Sequence, residues 1–275
     1  MGFFEAENDI DAVKLMFQMV FQKARELKKS VLSGPLDSSI FIRYRFKLDH
    51  FDSTYTGEPM NLPYYPYLWE ECGFEKSDSY VSNQLRRVAK SDIDMRYQRV
   101  YERYKKKGYE FISPSNKTFP KLLKDVYCLL MDLYADFPGY KRIDEQQFTA
   151  LFGNLKAVLN YQMVRMVYKD GRLCAFCICI PNYGRLTSGK IMPIKLMRIL
   201  EIKNNPSEYV VTYMGASKST PGLGCALIQD IRNILYKNQC TSIGALIHTG
   251  KLTEKMYDDL YIDQRQYALY KKEID

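Results

Sequence analysis

The feature that most constrains this chain is a glycine-bearing joint, Gly222-Leu223-Gly224-Cys225-Ala226, set between two contrasting patterns. Before it runs a short β-branched and aromatic stretch, Tyr209 to Met214, which reads as a strand. After it runs an amphipathic helix pattern, Leu223 to Lys237. A strand that passes through a loop into a helix with glycines at the joint lets backbone N–H groups approach an anion closely. The helix N-terminus adds about half a positive charge there. Lys218, four residues upstream of Gly222, can add a full one. No Gly-Lys-Ser or Gly-Lys-Thr follows, so this is not a Walker loop, and it is one glycine short of the dinucleotide fingerprint.

The surrounding pattern is α+β. Asn8 or Asp9 can cap a helix from about Ile10 to Lys29, and Gly34-Pro35 stops it. Ile40 to Leu48 alternates and reads as a strand, a helix follows at Tyr64 to Cys72, and Tyr80 to Leu85 reads as another strand. Helices are expected at Phe119 to Ala135 and Asp144 to Leu159, with a short strand before them at Tyr109 to Ile112. Met163 to Tyr168 and Leu173 to Ile180 flank Lys169-Asp170-Gly171, a good hairpin signal. A helix near Ile194 to Leu200, the strand-loop-helix joint, a strand at Ile243 to His248, a helix near Leu252 to Leu260 and a strand near Arg265 to Lys271 complete the order.

Composition narrows the function. With 275 residues, 46% hydrophobic and 26% charged, the chain is globular. Its longest apolar run, Leu173 to Ile180, is far too short to span a membrane. The first residues are acidic where a signal peptide is basic, so we expect a cytoplasmic protein without a membrane partner. Of the seven cysteines, Cys174, Cys177 and Cys179 fall in one strand. Cys174 and Cys177 then point to opposite faces and cannot close on one ion, so we expect buried free thiols and no metal. Only His50 and His248 are available for histidine chemistry. Much of the +8 net charge sits in Arg86 to Lys107, where nine cations meet three anions. Tyr97, Val100, Tyr101 and Tyr104 form a helical stripe there, so a basic helix could stack on nucleic acid. Without a recognised nucleic-acid motif we read it as a surface helix whose tyrosines face the core, with no DNA partner and tRNA not expected.

The element order and the joint together resemble the GNAT N-acetyltransferase superfamily. Tyr209 to Ala226 is similar to its acyl-CoA motif, in which a strand ends in Arg-Gly-x-Gly-x-Ala; Gly222, Gly224 and Ala226 match, while Pro221 replaces the arginine and Ser219 the upstream Gln or Arg. The resemblance covers about residues 108–275. Trp69-Glu70-Glu71-Cys72-Gly73-Phe74 is similar to the helix that runs into Gly-Phe before the family's last strand. Residues 1–88 thus look like a second, incomplete and structural copy, with 89–107 a basic helical connector. The implied fold is a mixed, mostly antiparallel sheet flanked by helices.

The resemblance implies an acyl-CoA-dependent N-acyltransferase, with acetyl-CoA as cosubstrate and a small-molecule or peptide amine as acceptor. It places Met214, Gly215 and Ala216 beside the thioester, and Lys218, Gly222, Leu223, Gly224, Cys225 and Ala226 around the pyrophosphate. Tyr257 is the positional match for the tyrosine that protonates the departing thiolate, and His248 is a candidate base. Two other readings stay open: a GNAT-fold binding or regulatory protein without turnover, and a tandem aminoacyl transferase that uses charged tRNA.

Overall fold

The computed structural model describes residues 1–37, 39–93, 95–133, 143–187, 189–190, 192–251, 254 and 259–274. Within these, one sheet of nine strands organises the chain. Its C-terminal part is a run of neighbours: β4 (Glu110–Ile112), β5 (Val164–Lys169), β6 (Arg172–Pro181), β7 (Glu208–Ala216) and β8 (Thr241–His248). The hairpin between β5 and β6 turns on Asp170 and Gly171, both at positive φ, as a two-residue type I′ loop requires. β7 and β8 are parallel, and every other pair is antiparallel.

The sheet does not end where the C-terminal pattern ends. β3 (Glu75–Leu85) inserts between β8 and the last strand, β9 (Tyr261–Glu273). β1 (Val31–Gly34) and β2 (Phe46–Lys47) then pair end to end along the other edge of β9. The early part of the chain therefore holds β9 on both sides. α1 (Ile10–Glu26) and α2 (Tyr65–Glu71) complete that end with a core of Phe4, Phe17, Trp69 and Phe74 packed on Ala268 and Tyr270 of β9. Asp9 caps α1, accepting from the N–H groups of Asp11 and Ala12.

β6 shows why the other end needs helices on both faces. Ala175, Cys177 and Cys179 face a core with Leu223, Leu227 and Ile231 of α7 (Leu223–Asn238). Phe176, Ile178 and Ile180 face a second core built on α4 (Phe119–Leu133) and α5 (Glu145–Phe152). An unbroken apolar strand pattern is what burial on two faces demands. α3 (Met95–Lys106) lies against α7, with Tyr104 buried and Val100 and Tyr101 packed on the same core.

Several local expectations are corrected. Ile40–Ile42 form a turn and only Phe46–Lys47 pairs as a strand, although the alternation runs from Ile40 to Leu48. Asp37 closes this segment by taking the Arg43 Nε–H at 2.5 Å, and Arg45 stands at φ 72°, which no strand sustains. The helix from Asp144 stops at Phe152 and tightens into a 3₁₀ turn at Gly153–Ala157. The basic helix begins at Met95 and not at Arg86. Of the cysteines, Cys177, Cys179 and Cys240 are buried, Cys72, Cys174 and Cys225 are half-buried, and Cys128 is exposed.

Candidate functional site

β7 and β8 pair only from Glu208↔Thr241 to Val211↔Gly244 and then separate. Two bulges sit at the point of separation. On β7 the register skips Thr212, between Ile178↔Tyr213 and Cys179↔Val211, and the Thr212 hydroxyl donates to the Ile178 carbonyl at 2.9 Å. On β8, Ala245 and Leu246 stand opposite the single residue Ser82, with Leu246 at φ 56°. The Leu246 N–H donates to Ser82 Oγ at 2.9 Å, and Arg45 Nη1 donates to the Leu246 carbonyl at 3.2 Å. A bulge bends its strand and increases local twist. Here the two bulges send β7 along β6 and β8 along β3. Residues 212–216 are left without a strand partner on their β8-facing edge, among the described residues.

That open edge contains Met214, Gly215 and Ala216, and it runs directly into the glycine joint. Ser217 N–H donates back to the Cys174 carbonyl at 2.8 Å, which turns the chain out of the sheet. Gly222 caps α7 at φ 86°, a conformation glycine adopts without strain. Leu223 and Ala226 are fully buried and anchor the helix, while the N–H groups of Gly224 and Cys225 belong to the first turn, which lacks intrahelical acceptors. A Cβ built on Gly224 meets nothing nearer than Met214 Cε at 4.0 Å, and one on Gly222 nothing nearer than Val100 Cγ1 at 3.9 Å. Space over both glycines is therefore open, and a β-branched side chain would occupy it. Pro221 supplies no N–H; its carbonyl accepts from the Tyr104 hydroxyl at 2.7 Å, which ties the loop to α3. Lys218 stands in the same loop. The structure thus brings Met214, the loop and the start of α7 together, and the donor set fits a diphosphate followed by an extended, strand-like arm.

A cavity of about 580 Å³ opens beside the gap, lined from β7 by Thr212 and Tyr213 and from β8 by Ala245 and Leu246. Its remaining walls come from residues 40–45 and 55–59, from Leu151, Phe152, Leu155 and Val158 around α5, and from Ile180 and Thr187. This size suits a small molecule. Sequence reasoning missed it, because the wall segments are far apart in the chain and none carries a motif.

A buried polar cluster adjoins the cavity and shares Tyr55 and Glu58 with its wall. The Glu58 carboxylate meets Lys47 Nζ at 3.0 Å and Arg265 Nη1 at 2.9 Å, and accepts from the Tyr267 hydroxyl at 2.6 Å. The Tyr55 hydroxyl lies 3.2 Å from that of Tyr267 and 2.7 Å from Ser82 Oγ. Burial pushes the phenols of Tyr55 and Tyr267 well up and the Lys47 ammonium down. Through Ser82 the cluster reaches the β8 bulge, so these groups fix the shape of the gap.

His248 ends β8 on its β3-paired side. Its Nδ1 lies 2.8 Å from the Thr249 carbonyl and its Nε2 3.2 Å from Asp78 Oδ1. Both nitrogens face acceptors, so service as a base requires the Asp78 contact to open. Tyr257 and most of the helix expected near Leu252 to Leu260 lie outside the described residues.

No family model and no curated protein sequence matches the chain. Solved structures do. One is the GCN5-related glucosamine N-acetyltransferase region of a fungal multi-domain GH3 β-N-acetylglucosaminidase, at 12% identity and TM-score 0.51 over 94% of this chain. Another is a GCN5-related N-acetyltransferase from Sphaerobacter thermophilus, at 9% identity and TM-score 0.50, again over 94%. The chain spans 27% of the first and 66% of the second. With its parallel pair splayed by bulges and its glycine joint at the helix start, this chain has the fold of the GCN5-related N-acetyltransferases.

Proposed function

We propose that the protein is an acyl-CoA-dependent N-acyltransferase with one site, at the gap between β7 and β8. The observation that carries this reading is the open edge of residues 212–216 leading into uncovered N–H groups at Gly224 and Cys225. An acyl-CoA brings an activated thioester, and acetyl-CoA is the form we expect. The edge of β7 offers backbone hydrogen bonds to its extended arm as an added strand would. The N–H groups of Met214 and Ala216, on either side of the β6-paired Gly215, orient and polarise the carbonyl. The first turn of α7 and Lys218 hold the diphosphate. The acceptor amine enters from the cavity and attacks the carbonyl carbon; the C–S bond breaks, and the thiolate takes a proton, for which Tyr257 is the proposed donor. His248 is the proposed base for an ammonium acceptor.

A thermal-shift panel of acetyl-CoA, longer acyl-CoAs, free CoA and tRNA, followed by free-thiol release over a set of amines, tests this. Stabilisation by acyl-CoA and thiol release that needs an amine are expected. Binding with no turnover would leave a non-catalytic binding protein. Stabilisation by tRNA alone would replace the proposal with aminoacyl transfer.

A further inference from the structure

We propose that the outward face of α6 (Pro193–Asn204) docks on an anionic lipid surface. α6 carries apolar side chains on its outer side as well as on its core-facing side. Its inner side contributes Ile199 and Ile202 to the core under α4 and α5. Its outer side carries Ile194 at 72% exposure, Leu196 at 48%, Met197 at 70% and Leu200 at 47%, with Met192 at 66% just before it. At 100° per residue these four helical side chains fall within one arc of about 160°, which also takes in Pro193, Glu201 and, at the last residue of the helix, Asn204. Single exposed apolar residues are ordinary, but a contiguous set on one helix marks an interaction surface.

The charge around the arc selects the occupant. Between Arg185 and Lys203 there are five Lys and Arg against Glu201 alone, and Arg185, Lys190 and Arg198 are exposed. A two-fold contact with a second copy would set this basic fringe against itself, since an isologous interface meets the same patch. An anionic bilayer complements both parts: acyl chains for the arc and headgroups for the cations. The contact is peripheral, because no helix among the described residues is long and apolar enough to cross a membrane. The expectation of no membrane partner rested on the lack of a long apolar run, which bears on spanning and not on surface docking. Thr187, in the turn before α6, lines the cavity, so docking would set the cavity close to the lipid surface. The inference does not depend on the acyl-transfer reading.

Flotation of the full chain with vesicles of phosphatidylcholine, alone or mixed with phosphatidylglycerol, tests it. Wild type should float with the mixed vesicles and not with phosphatidylcholine alone. Ile194→Glu with Met197→Glu, both at exposed positions, should abolish flotation. Each of Lys190→Gln and Arg198→Gln should weaken partitioning by about fivefold, and these milder variants serve if the double variant misfolds. Absence of flotation at low salt, or unchanged flotation in the variants, would overturn the proposal. So would a dimer in sedimentation that Ile194→Glu with Met197→Glu dissolves, since that would assign the face to a second copy.

Discussion

Gly222 and Gly224 keep the same space open for different physical reasons. Gly222 stands at φ 86°, where any side chain is strained, whereas Gly224 lies in the first turn of α7 and has no such restriction. Only Gly224 therefore separates ligand space from backbone strain. Tyr257 is the residue to which chemistry is assigned without contact geometry. If it protonates the thiolate, Tyr257→Phe should lower kcat by about 10²–10⁴-fold while acyl-CoA affinity holds; a packing tyrosine would lose one hydrogen bond, about 1 kcal/mol of stability, and keep its rate. His50 tests the electrostatics away from the site. It lies 3.0 Å from both Asp49 and Asp263, and the Asp49 contact, opposed by desolvation, raises its pKa above the ordinary 6.5. A raised pKa means stabilisation that is complete below the unfolded value and lost as pH climbs through the folded one. Asp263 is held low, first by the Gln264 N–H and then by His50, so the clamp also weakens in strong acid. The melting-temperature gap between wild type and His50→Gln should be wider at about pH 5.5 than at about pH 9; equal gaps would deny the clamp.

Strands β7 and β8 owe their separation to paired bulges, and Ser82 sits at the hinge. Ser82→Ala should leave the Leu246 N–H without its acceptor, costing about 1–3 kcal/mol. It should also weaken acyl-CoA binding from a position outside the proposed phosphate and thioester contacts. Unfolding curves and titrations of the same variant check both effects, and unchanged affinity would detach the bulge from the site. How much of these elements is legible in the chain depends on the range of the forces that form them. Asp170-Gly171 announces its hairpin because a type I′ turn is decided by two residues, and α1 announces itself through Asp9. Val31–Gly34 does not, since four residues of strand exist only because β9 pairs with them. Ile40 to Leu48 misleads, because alternation cannot reveal that Asp37 folds Arg43 back and that Arg45 leaves the β region. The glycine joint is local and readable; the cavity and the Glu58 cluster, assembled from four or more distant segments, are not.

The molecule as a whole is closed by β3, which reaches between β8 and β9 and so makes the first 85 residues part of the same sheet as the last strand. Nothing in residues 75–85 states which strands they will join, and this pairing is the largest feature that sequence patterns leave unread. A sheet shared in this way should unfold in one transition by calorimetry, with equal calorimetric and van't Hoff enthalpies; two resolved transitions would show separable halves. The open edge of residues 212–216 leads into a helix start capped by Gly222, whereas α1 starts at the acidic cap Asp9. Isothermal titration with acetyl-CoA tests this most directly, run on wild type and on Gly224→Val. One site per chain, lost in Gly224→Val while its melting temperature holds, is the predicted result. Two sites, or an affinity that Gly224→Val leaves unchanged, would contradict it.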